Sequence, residues 1–151
     1  MRKKVFVPVL VLMTMCFVLF GCAKKNARFS DLDAVMEKNT IISTFGSNYE
    51  ITTAQDRMVY RDLRLIEALP GGLETKLQFF LDGENSYAMA YYVYGNAEEN
   101  FEKVKAEFDS AYGESSPGEQ ENTLIWKKGE REVSLSKMIK SDESYIVAGM
   151  Y

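Results

Sequence analysis

The sequence predicts an α+β fold: an antiparallel sheet built from β-meanders, with two helices packed on one of its faces. Three observations predict it. Leu73, Thr75, Leu77, Phe79 and Leu81 alternate with Glu74, Lys76, Gln78 and Phe80, the period of a half-buried strand. Phe101, Val104, Phe108 and Ala111 or Tyr112 recur at helical spacing and make one apolar stripe. The strand-like runs are joined by short turn signals, so strands adjacent in sequence should pair antiparallel.

The elements follow in order. Ser30 can cap a helix and Asp33 stands three residues on, where a capping-box acid sits. Leu32, Val35 and Met36 continue at helical spacing, Asn39 interrupts, and Thr40 to Phe45 adds a turn before Gly46, a residue suited to ending a helix. Tyr49 to Thr53 and Met58 to Ile66 are β-prone, and Leu69-Pro70-Gly71-Gly72 is a turn. After the alternating run, Asp82-Gly83 signals a hairpin, and Tyr87 to Tyr94 returns as the partner strand. Asn96, with Glu99 three residues on, caps the second helix, and Gly113 stops it. Residues 114–122, with Pro117 and Gly118, read as a loop. Thr123 to Lys127 is a strand, turned at Lys128-Gly129-Glu130. Val133, Leu135, Lys137 and Ile139 alternate in the next, and residues 141–144 turn into Tyr145 to Tyr151.

The order is therefore helix, four strands, helix, three strands. Both helices end in aromatic-Gly, at Phe45-Gly46 and Tyr112-Gly113. This divides a single domain, 29–151, into possible half-repeats 29–95 and 96–151.

The start of the chain carries a different signal. Arg2, Lys3 and Lys4 precede an uncharged, mostly apolar run from Val5 to Phe20, the pattern of a secretory signal peptide. The run is shorter than the roughly 20 residues that span a bilayer. Leu19-Phe20-Gly21-Cys22 then resembles the lipobox of bacterial lipoproteins, with Phe20 where a small residue is commoner. The resemblance implies cleavage after residue 21 and lipid on Cys22, followed by a short tether at 22–28. The protein would then be held extracytoplasmically at the cell membrane, or on the inner leaflet of an outer membrane in a double envelope.

Composition excludes several functions. The chain has 18 Lys+Arg and 22 Asp+Glu. Losing Arg2, Lys3 and Lys4 with the signal makes the remainder more acidic, which argues against nucleic acid as a partner. No histidine occurs, and the two cysteines are Cys16, lost with the signal, and Cys22. That removes the usual general base, the usual zinc ligands and any disulfide. No metal and no cofactor is expected.

The remaining candidates have ordinary readings. Asp31, Asp33 and Glu37, and Glu98, Glu99 and Glu102, sit in helix first turns, where acids complement the dipole. Asp82, Glu84 and Asn85, and Asp142 with Glu143, lie in turns that supply too few oxygens for calcium. Ser134 and Ser136-Lys137 form no Ser-x-x-Lys motif. The chain is therefore not expected to be an enzyme.

The aromatics are more informative. All nine tyrosines lie past Cys22. Tyr92 and Tyr94 should share one sheet face, and Tyr91 the other with Tyr87, Met89 and Val93. One set must lie on the side the helices leave open, so Tyr87, Tyr91, Tyr92 and Tyr94 are the candidate binding residues. Trp126 reads as a core anchor. The expected function is a non-enzymatic module binding a protein or envelope component. The alternative is a carrier or sensor of a small apolar ligand, held between sheet and helices by Leu77, Phe79, Met89, Phe101 and Phe108.

The order of elements also resembles two families of small exported proteins. One is the β-lactamase-inhibitor-protein family, built from tandem helix-then-sheet repeats. The other is the SmpA/OmlA type of outer-membrane assembly lipoprotein. The resemblance rests on the two aromatic-Gly helix ends and on Trp126 in a late strand; Asn48 departs from the second family, where Pro is usual. It implies a protein-binding scaffold and transfers no functional residue.

Overall fold

The computed structural model describes residues 27–52 and 56–151; the expected signal peptide, Cys22 and most of the tether lie outside the described residues. A single 3-10 turn at Phe29–Asp31 leads through extended chain to α1 (Lys38–Phe45). Four strands follow: β1 (Glu50–Thr52), β2 (Arg57–Arg61), β3 (Thr75–Asp82) and β4 (Asn85–Tyr94). Then come α2 (Ala97–Tyr112), β5 (Ser116–Pro117), β6 (Thr123–Lys128), β7 (Arg131–Ile139) and β8 (Ser144–Met150).

All eight strands form one antiparallel sheet in the order β1-β2-β3-β4-β8-β7-β6-β5. A helix followed by a four-stranded meander thus occurs twice, and the last strands of the two meanders pair at the centre. The fold is α+β, as the periodicities predict. The two-residue β5 falls inside the segment expected to be loop; it pairs Ser116 with Ile125 and Pro117 with Leu124. Proline fits there because on an edge strand its missing N–H can fall on the outward side, which makes no ladder bond.

The first helix begins later than its sequence suggests. Ser30 caps nothing; the Asp33 carboxylate accepts from the Val35 amide two residues on (3.1 Å), a local bond that competes with helix. The neighbouring carbonyls find partners outside the segment. Lys128 Nζ donates to Ser30 O (2.9 Å) and Leu32 O (2.5 Å), and the Ser86 hydroxyl to Ala34 O (2.6 Å). The Lys38 amide donates to Glu84 O (2.8 Å). Phe29 is meanwhile fully buried, stacked on Phe108 with centroids 5.2 Å apart. Burying Phe29, Leu32 and Ala34 in an extended path offsets the loss of helical bonds.

The second helix matches expectation. Asn96 Oδ1 accepts from the Glu99 amide (3.3 Å) and Lys103 pairs with Glu99 (2.6 Å). Both helices stop at glycines with φ near +91°, Gly46 and Gly113, a conformation that disfavours any Cβ. The middle strand β2 is shorter than its β-prone run. It ends at Arg61, Asp62 turns with φ 56, and the following residues cross over the core.

One core lies between the sheet and the helical layer. From the sheet come Met58, Tyr60, Leu77, Phe79, Met89, Tyr91, Val93, Trp126, Val133, Leu135, Ile146, Ala148 and Met150. From above come Phe29, Ile41, Leu65, Ile66, Phe101, Val104 and Phe108. Phe108 is the hub, touching Phe29, Tyr112 (5.4 Å) and Trp126 (5.4 Å, edge-on). Phe108→Ala should therefore lower unfolding free energy by about 3–5 kcal/mol, measured by urea denaturation.

Two phenols make stability fall at high pH. Burial pushes Tyr60 up to about 12, with Tyr49 adding to it. Burial, then Glu107 and Asp31, push Tyr112 up to about 12. A raised folded value means the neutral form is favoured in the fold. This stabilisation is fully present below the ordinary phenol value of 10.0 and is lost as pH rises from there through about 12. Denaturation curves taken across that interval should show a falling midpoint, and Tyr112→Phe should flatten the slope.

Candidate functional site

The helices cover one face of the sheet, which leaves the other to carry the alternate residues of each strand. β3 places Lys76, Gln78 and Phe80 there, and β4 places Ala88, Ala90, Tyr92 and Tyr94. The pairing of β4 with β8 sets Tyr94 opposite Tyr145, Tyr92 opposite Val147 and Ala90 opposite Gly149.

Two aromatic clusters result. In the first, Tyr145 lies 5.5 Å from Tyr94 and 6.3 Å from Tyr92 between ring centroids. The Lys76 ammonium sits 4.2 Å from the Tyr92 centroid and 5.9 Å from that of Tyr94. Such a cation over aromatic faces contributes about 0.5–1 kcal/mol where solvent reaches it. Lys76 is in no ion pair among the described residues. In the second cluster, Phe80 and Tyr87 are 6.2 Å apart, and the Arg57 guanidinium lies 4.7 Å over Phe80.

Small residues separate the clusters: Ala88, Ala90, Gly149 and Ser134. A Cβ on Gly149 would come within 2.8 Å of both Tyr151 Oη and Ser134 Oγ, so only glycine lets the Tyr151 ring lie down there. Gln78 is 7% exposed on this face, and its Oε1 has no hydrogen-bond partner among the described residues; nor has Arg57 Nε.

The four candidate tyrosines divide differently from the simple alternation. Tyr92 and Tyr94 lie together on the open face, as their spacing implies. Tyr87 joins them and is 56% exposed, although alternation placed it with Met89. The register slips at this point: Phe80 faces Ala88, and Leu81 faces Ser86. Tyr87 is the extra residue of a β-bulge, which re-aims its side chain. Tyr91 belongs to the core and not to the contact set, being 1% exposed. Its hydroxyl donates to Leu63 O (2.5 Å) and accepts from the Leu65 amide (3.4 Å), and burial pushes the phenol up. Tyr91→Phe should cost about 1–3 kcal/mol, because it orphans buried backbone groups. Thermal denaturation should show it less stable than Tyr92→Phe.

Four residues of these clusters, Arg57, Lys76, Phe80 and Tyr145, lie outside the sequence-derived set. Lys76 and Phe80 stood on the polar side of an alternating strand, which was a usable signal. Tyr145 comes from a strand whose pairing partner lies far back in the chain, Tyr94 standing opposite it, and nothing local marks it.

The other candidates are engaged elsewhere. Trp126 is buried; its indole N–H donates to Asp109 Oδ1 (2.9 Å). Lys105, at 2.5 Å, and then the indole hold the Asp109 carboxyl below its ordinary value. Glu98 pairs with Lys137 (2.6 Å) and Asp33 with Arg131 (3.6 Å). Lys137 also lies 5.3 Å from the Phe101 ring on the helix side, whereas Ser136 points to the open face. Among the described residues no three His, Cys, Asp or Glu side chains are placed to hold a metal ion.

Leu77, Phe79, Met89, Phe101 and Phe108 are packed into the core. A cavity of about 350 Å³ exists at the crossing loop, lined by Leu63, Ile66, Leu69, Leu73 and Tyr91 among others. None of the five residues expected to hold an apolar ligand lines it. Comparison with protein-family models, with curated proteins and with solved structures finds no match for this chain.

Proposed function

We propose that this protein is a lipid-anchored extracytoplasmic lipoprotein whose uncovered sheet face binds a protein or envelope component without catalysis. The carrying observation is the cluster of half-buried Tyr92, Tyr94 and Tyr145, with Lys76, in no ion pair among the described residues, over the first two rings. Tyrosine offers a large contact area with a polar tip at low entropic cost, which suits recognition. The two cations stacked on this face, Lys76 and Arg57, favour a partner that presents carboxylates. The N-terminal residues support the anchor: a charged start, an apolar run and Leu19-Phe20-Gly21-Cys22. The sequence also supplies no imidazole, and its two cysteines are Cys16, within the proposed signal peptide, and Cys22, the proposed lipid attachment point.

Recovery of partners from intact envelopes tests the face. Tyr92→Ala with Tyr94→Ala should reduce recovery tenfold or more, and Lys76→Glu should reduce it further at low salt than at high salt. Circular dichroism should show the fold retained, since cross-strand pairs contribute only about 0.2–1 kcal/mol each. Equal recovery by all variants rules the face out. Cys22→Ser should move the protein from the membrane fraction to the soluble one; an unacylated chain that begins at Met1 would contradict the anchor.

A further inference from the structure

We infer that the tyrosine face is the membrane-distal side of the anchored protein, and that its partner is a protein reaching it from the side away from the bilayer. This rests on the anchor at Cys22 and on the tyrosine face as the contact surface, both proposed above.

The described chain begins at Ala27. The Phe29 amide donates to Leu65 O (2.7 Å), and Arg28 pairs with Glu67 (2.8 Å). Glu67 is in turn beside α2, because the neighbouring Ala68 amide donates to Glu107 Oε2 (2.7 Å). Arg28 shares a surface depression with Ala106 and Ser110 of that helix. The tether therefore leaves from the outer surface of the helical layer, between the crossing loop and α2. It does not leave from a sheet edge.

Length then decides the orientation. From Cys22 to Ala27 there are five residue steps, which reach roughly 17 Å at full extension. The sheet and the helical layer together are about 20 Å thick. A tether of that reach cannot run round the sheet and place the tyrosine face on the bilayer that holds the acyl chains. It easily seats the helical side there. Tyrosines and a lysine would otherwise suit a lipid interface, so the short tether is what selects a protein partner over lipid.

Site-directed quenching tests this on the acylated full-length product in phosphatidylcholine vesicles carrying nitroxide-headgroup lipid. Tyr87→Cys places a fluorophore on the open face, and Ser110→Cys places one beside the tether's exit; Cys22 is blocked as a thioether. Quenching at position 110 should exceed that at 87 at least threefold, with or without phosphatidylglycerol in the vesicles. Inserting ten Gly and Ser residues between Lys25 and Asn26 should erase the difference. Equal or stronger quenching at position 87 without the insertion overturns the inference and makes lipid the occupant. Acyl mass and co-flotation are read on the same samples. An unacylated, unbound protein overturns the anchor and the inference together, whereas failure of partner recovery leaves the quenching ratio intact.

Discussion

The pairing of β4 with β8 is the contact on which the rest of the structure depends. Met89 to Tyr94 lies against Tyr145 to Met150, and this ladder turns two separate four-stranded meanders into one sheet. Each half alone would contribute a helix and four strands to bury a single face, a small core for its length. Joined, the halves share Val93 with Ile146, Tyr91 with Ala148 and Met89 with Met150 across the seam. The same ladder builds the open face, because it is what sets Tyr145 against Tyr92 and Tyr94. Core and candidate contact surface are two sides of one register.

The helical layer is less regular than the sheet. Among the described residues only α1 and α2 are helices of more than one turn; between them the cover consists of the N-terminal segment and the loop that follows β2. Both are held by polar groups reaching from elsewhere. Tyr91 binds the loop through Leu63 and Leu65, Lys128 binds the carbonyls of Ser30 and Leu32, and Ser86 binds Ala34. This explains why Tyr91 is committed to structure while its neighbour Tyr92 is not. It also explains why the N-terminal segment leaves on the side opposite the tyrosines.

The open face is mixed in character. Phe80, Tyr92, Tyr94 and Tyr145 are half-buried, yet Lys76 and Arg57 sit over rings there, and Gln78 lies beneath with an oxygen that has no hydrogen-bond partner among the described residues. Unpaired buried polar atoms cost stability. Asn100 Nδ2 and Tyr112 Oη on α2 carry the same cost among the described residues, so it is not peculiar to this face.

Local pattern determined much of this protein. The period of two in β3 and β7, the stripe of Phe101, Val104 and Phe108, the Asn96 cap and the aromatic-Gly stops are all properties of residues a few positions apart, and each element formed where they lay. The division of Tyr92 and Tyr94 from Tyr91 followed from the same alternation. Tertiary structure decided what local pattern could not. The helix expected from Ser30 gave way to extended chain because Phe29, Leu32 and Ala34 are buried against α2 and the sheet, and distant side chains took its carbonyls. Tyr87 changed face because a bulge, fixed by pairing with β3, inserted one residue into the ladder. Tyr145 joined the cluster because strands far apart in the chain meet at the sheet's centre. Short-range periodicity is written in the order of residues, whereas register and long-range pairing are settled only when the whole chain competes to bury its apolar surface.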